Sequence, residues 1–238
     1  MGRNVFVTVL IGSLLLLAIA LVIPGGTPDP DPKLPWKISV DAEGNSTVFG
    51  LTLGQSTLAD GQQVISDIGE VDLLITEDGS KTVEAYFNGI FLNGLKADFV
   101  FTLELDEQKL EEMYQRGLQL STLESGIRKV DLTQEDLAIA AQAPIVHITY
   151  LPKTDLEEHL ITNLFGEPRL IVHEPDSSIS HWLYPDIGLD IAVDPERKEV
   201  FQYVAPAEFG LISEPLQQAA EAVATEADAG QPSESDAQ

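Results

Sequence analysis

Residues 99–105 read Phe99-Val100-Phe101-Thr102-Leu103-Glu104-Leu105. Phe99, Phe101, Leu103 and Leu105 recur at every second position, and Thr102 and Glu104 point the other way. That period of two belongs to a strand with one buried face. Working outward, Val71, Leu73 and Ile75 form a second such face, and Asp78-Gly79 turns the chain into a strand over 82–87. Upstream, Trp36, Ile38 and Val40 alternate with Lys37, Ser39 and Asp41. A turn at Ala42-Glu43-Gly44-Asn45 then leads into an apolar stretch over 48–53. Downstream, strands are expected over 118–122, 128–132, 145–151, 170–173, 181–184, 189–193 and 199–204.

Helices are short and interspersed. Asp106 caps a helix over 107–116 that buries Leu110, Met113 and Tyr114 and stops at Gly117. Thr133 with Asp136 opens a helix over 134–142, which must stop before Pro144. Thr154 and Glu157 have capping-box spacing ahead of the stripe Leu156, Leu160, Ile161 and Leu164. Most strands are joined by short turns, so the class is α+β with a predominantly antiparallel sheet.

The chain has 238 residues, with 39 Asp and Glu against 13 Lys and Arg, a formal net charge of −26. Such an acid excess leaves nothing to neutralise a run of phosphates, so nucleic acid is excluded as a partner. It also disfavours docking on anionic lipid. There is no cysteine, which removes disulfides, thiolate metal sites and a cysteine nucleophile. With 44% apolar and 22% charged residues, the chain can build a core and is not disordered as a whole.

Residues 5–23 carry no charge and centre on Leu14-Leu15-Leu16-Leu17. Nineteen residues just reach the ~20 that cross the hydrocarbon core as a helix. Arg3 precedes the run, and Asp29 and Asp31 follow it. The positive-inside rule then keeps the N-terminus cytoplasmic and puts everything after Ile23 outside. The rival reading is a cleaved secretory signal, for which Ala18-Ile19-Ala20 has the small-x-small form. Cleavage there would leave Leu21-Val22-Ile23 exposed at the new terminus. The expected organisation is a cytoplasmic stub and anchor over 1–26, then a Pro/Asp spacer over 27–35 in polyproline II form. An α+β domain over 36–216 and an acidic, largely disordered tail over 217–238, of which 217–225 could continue a helix, complete it.

Comparing the chain with itself gives a match at an offset of 97. Gly69 meets Gly166, Glu70 meets Glu167, Leu73 meets Leu170, Glu77 meets Glu174 and Ser80 meets Ser177. Each copy reads as helix, Gly-Glu, hairpin and further strand, giving repeats over 51–105 and 154–204; two unrelated helix–hairpin segments are the alternative. A short helix ending in Phe165-Gly166-Glu167-Pro168, followed by a meander with Trp182-Leu183-Tyr184, resembles the SmpA/OmlA small outer-membrane lipoproteins and their β-lactamase-inhibitor-like fold. Residues 57–105 resemble it more faintly. The departures are the missing lipidation cysteine and Val71 where the pattern has Pro. The chain as a whole is similar to envelope proteins of Gram-negative bacteria. The resemblance implies noncatalytic domains that bind other envelope proteins.

The chemistry-bearing motifs are absent: no Gly-x-Ser-x-Gly elbow, no His-Glu-x-x-His and no glycine-rich phosphate loop. Of the four histidines, His173 and His181 flank a hairpin turn, and with Glu174 they make an incomplete zinc set unless His147 or His159 joins. Asp186, Asp190 and Asp194 recur every four residues, with Glu196 after them; this is the spacing tested for calcium. Neither carries a metal or cofactor assignment. Trp182, Tyr184, Phe201 and Tyr203 fall on two strands and read either as core or, if their face is outward, as partner contacts. The interaction candidates are therefore His181, Trp182, Tyr184 and Tyr203. The expected function is a noncatalytic interaction, scaffold or assembly module held to the bilayer through residues 5–23, its partner another envelope or inner-membrane protein. The alternative is a domain binding a small ligand or divalent metal; an enzyme comes last.

Overall fold

The computed structural model describes residues 31–123, 125–175 and 177–229. The expected anchor over 5–23, the spacer residues 27–30 and the last nine residues of the tail lie outside the described residues.

Phe99, Phe101 and Leu103 are buried and Thr102 is half-buried on the opposite face, as the alternation requires. They belong to a strand at the centre of a ten-stranded sheet. In chain order the elements begin with β1 (Ser39–Val40), β2 (Ser46–Val48), β3 (Leu51–Thr52) and α1 (Leu58–Ile65). Next come β4 (Glu70–Ile75), β5 (Lys81–Leu92), β6 (Leu95–Leu103), α2 (Glu107–Arg116), β7 (Leu120–Thr122) and β8 (Arg128–Asp131). Then follow α3 (Gln134–Ala141), β9 (Ile145–Pro152), α4 (Glu158–Phe165), β10 (Leu170–His173) and β11 (Ser180–Tyr184). The last are β12 (Leu189–Val193), β13 (Val200–Val204) and α5 (Gly210–Ala229).

The large sheet runs β10-β11-β12-β13-β9-β6-β5-β4-β8-β7, and β1-β2-β3 form a separate small sheet. Every pairing is antiparallel. Counted outward from the β13/β9 junction, one half is β13-β12-β11-β10 and the other β9-β6-β5-β4. A helix opens each half, α4 and α1 respectively, and the segment holding α2, β7, β8 and α3 interrupts the second before β9.

One face of the sheet carries the main core. Phe49 from the small sheet packs edge-on against Phe99 at 5.2 Å and Tyr203 at 5.7 Å, and Tyr150 meets Phe201 at 5.6 Å. Such edge-to-face pairs add to the area they remove from water. On the opposite face, α5 closes a smaller cluster of Val172, Leu183, Val204 and Phe209, with Ile212 and Leu216 against it. The described residues from Lys33 onward form one unit.

Five local expectations change. The apolar stretch over 48–53 is a hairpin and not one strand, because Phe49 and Gly50 both take positive φ (54° and 77°). An aromatic residue tolerates that backbone only when its surroundings hold it, and here the rings of Phe99, Tyr150 and Tyr203 do so. β5 continues past Phe87 to Leu92 through a bulge, where the Gly89 N–H donates to Asp98 Oδ1 at 2.7 Å. Helix α4 starts at Glu158 with no side-chain cap from Thr154; the Leu156 N–H instead donates to Glu199 Oε2 at 3.1 Å. The spacer does not stay free up to residue 35: Pro35 is buried and its carbonyl accepts from the Tyr203 hydroxyl at 3.0 Å. At the other end, α5 runs to Ala229, so the part of the expected tail over 217–229 has helical backbone.

Candidate functional site

Strand alternation that sends Trp182 and Tyr184 to the core sends His181 and Leu183 to the other face. There the register sets Leu183 opposite Asp190, Asp190 opposite Gln202, Val204 opposite His147 and His147 opposite Thr102. A row of polar side chains thus crosses five strands, β11 to β6, on one face. Helix α5 passes over this face with Leu211, Ile212, Pro215 and Leu216, and the β1–β2 turn at Glu43-Gly44-Asn45 closes one end. The cavity is half open to solvent and about 820 Å³ in volume, within the range of small-molecule sites. Leu53, Val146 and Val204 line it between the polar floor and the rim.

The approach of β13 to the β11–β12 turn depends on Gly188. Its φ is +68°, and a Cβ there would stand 2.0 Å from the Val204 carbonyl oxygen. The Val204 N–H donates to the Gly188 carbonyl at 2.9 Å, which fixes the end of β13 and launches the chain through Pro206–Glu208 into α5.

The floor is a charged network with little access to water. His181 is 5% exposed and Asp190 fully buried. The His181 Nδ1 lies 2.8 Å from Asp190 Oδ2, and its Nε2 lies 3.0 Å from Glu174 Oε1. Gln202 Nε2 donates to the same Asp190 Oδ2 at 3.1 Å. Burial pulls the His181 ring toward its neutral form, but the two carboxylates outweigh it and raise its pKa above the ordinary value. His147 has no such partner, and burial alone pushes it down to about 4. Two buried polar atoms find no hydrogen bond among the described residues, His147 Nε2 and Asp190 Oδ1. Orphans of this kind are costly, and a binding site is one setting in which they persist.

Asp190 orienting His181 has the geometry of an acid–base pair, yet the far nitrogen is taken. Where a base would face a substrate proton, Nε2 faces the Glu174 carboxylate. The ring is a bridge between two carboxylates.

The expected contact residues are placed otherwise. Trp182 is 8% exposed and Tyr184 6%, both in the main core, and the Tyr184 hydroxyl donates to the Gly166 carbonyl at 3.0 Å. Tyr203 is fully buried. Their shared face is the one covered by the helices and the small sheet, so these three aromatics serve the core and present no surface. His181 is separated from them by its own strand. His173 is exposed and pairs with Ser180, not with His181, and His159 is an exposed neighbour of Glu157. Asp186 pairs with Arg169, and Asp194 with Ser178 and Arg197. Among the described residues no group could hold a metal ion. Gln202 and the roof residues of α5 went unread; the available signal was a polar residue at alternate positions, Asp190 and Gln202, inside two otherwise apolar strands.

No protein-family model matches the chain, and no match was found among curated proteins or solved structures. The resemblance read from residues 155–204 therefore rests on those residues alone.

Proposed function

We propose that this chain is a membrane-anchored, periplasmic binding module without catalytic chemistry, and that it binds a small apolar ligand in the cavity between the sheet and α5. The observation that carries the reading is the cavity itself, with apolar walls and a lining histidine, His147, whose buried Nε2 has no hydrogen bond among the described residues. The saturation of both His181 nitrogens supports the noncatalytic part. The charge flanks of residues 5–23 support a spanning anchor with the domain outside; no helix of the described residues is long and apolar enough to cross a membrane. The matched order of helix and four strands on either side of the β13/β9 junction supports two related units.

A second reading, contact with another envelope or inner-membrane protein, is favoured by the free sheet edge at β7. There Leu118, Leu120 and Leu123 are 70%, 53% and 42% exposed, and such an edge can accept a further strand. A fluorescence titration separates the two. With the full chain in lipid nanodiscs, the neutral dye N-phenyl-naphthylamine should brighten saturably above the empty-disc blank. Ala207, exposed at the cavity mouth, offers a blocking variant: Ala207→Trp should abolish the signal. Brightening unchanged in A207W, or none in either protein, would turn the account toward the edge.

A further inference from the structure

We propose that the cavity selects an apolar small molecule carrying one ammonium group and excludes its anionic counterpart. This rests on the cavity being a ligand site, as argued above, and adds the charge class of the ligand.

Among the residues lining the cavity there is no Lys or Arg, while Glu43, Glu104 and Glu208 stand at its rim. All three are exposed and together set a negative potential at the entrance. The one cation of the floor, the His181 ring, spends both N–H groups on Asp190 and Glu174 and has none left for a ligand anion. His147 is neutral because burial holds its pKa near about 4. Its buried Nε2 has no hydrogen bond among the described residues, and the neutral ring offers an anion no charge. Pro215 in the roof has no N–H to give the Leu211 carbonyl one turn earlier, which adds acceptor capacity at the same mouth. The charged side chains of the lining are therefore acids, and it holds no cation free to meet an anion. An ammonium carries only donors and a positive charge; a carboxylate or sulfate carries only acceptors and a negative one.

The test uses a matched trio with one aromatic body: naphthylmethylamine, naphthylmethanol and naphthoate. Each is titrated by calorimetry into the full chain in lipid nanodiscs, with empty discs subtracted. Three exposed carboxylates, each worth a fraction of a kcal/mol, should favour the amine over the alcohol by about tenfold, and naphthoate should bind weakest. Higher salt and the pair Glu104→Gln, Glu208→Gln should narrow the amine's advantage, and A207W should remove binding of all three. Naphthoate binding as tightly as the amine would overturn the inference, as would equal binding of amine and alcohol. In either case alcohol binding lost in A207W would leave the cavity reading standing. Binding of none of the three would overturn both.

Discussion

His147 and His181 occupy the same face of the sheet and respond to pH in opposite senses. His147 is held near about 4 by burial against an ordinary 6.5. The unfolded chain takes up its proton first, so stability is full above pH 6.5 and falls as pH drops toward 4. The loss reaches about 3 kcal/mol over that span. Substituting His147→Gln should flatten this acid limb in urea titrations run between pH 7.5 and 4.5; an unchanged slope would mean the ring is solvated. For His181 the folded pKa lies above the unfolded one. Its contribution is complete below about pH 6.5 and fades as pH rises through the folded value. Replacing it by Leu strands the fully buried Asp190 charge, and removing one member of a buried pair costs about 3–5 kcal/mol. Gly188→Ala should be as damaging for a different reason, the positive φ and the clash with the Val204 carbonyl. Thermal melts of the two variants should show large losses relative to the parent chain, and only the H181L loss should change with pH, shrinking as pH rises through the folded value of His181.

At the scale of elements, periodicity was a good guide where strands are half-buried. The strands at 170–173 and 189–193 and the helix at 107–116 fall where alternation and capping put them. The signal ran out where geometry is set from a distance. Nothing local to residues 48–53 says that Phe49 turns the chain, because the rings that hold it come from β6, β9 and β13. The side of the sheet that α5 covers was equally illegible. Trp182 and Tyr184 were seen to share a face, but which face is buried depends on helices far along the chain. His181 was legible as a histidine flanking a hairpin turn, whereas its bond to Asp190, and that of Gln202 to the same carboxylate, needed the register. The same contacts predict that α5 is held by its first two turns. Phe209→Ala, which empties a 5%-exposed site in the smaller cluster, should cost about 3 kcal/mol. It should also raise amide hydrogen exchange in β10 and β11 before β5 and β6. Uniform exchange across the sheet would show that α5 is not an independent cover.

At the scale of the whole molecule, a sheet of two halves presents one face to a large aromatic core and roofs part of the other with α5. The cavity lies where that roof and the polar floor meet. The terminal segment from residue 226 has no apolar residue larger than Ala. Its removal should leave the melting temperature in place, since even ~1 kcal/mol would move it by roughly 2–4 °C. The central claim is that ligand enters beneath α5 and not along a sheet edge. Methyl-labelled NMR of the full chain in lipid nanodiscs, titrated with naphthylmethanol, reads this directly. The account predicts shifts at Leu53, Val146, Val204 and Ile212, saturating together and absent in A207W. Shifts confined to Leu118, Leu120 and Leu123, or to Leu170 and Ile171, would contradict it.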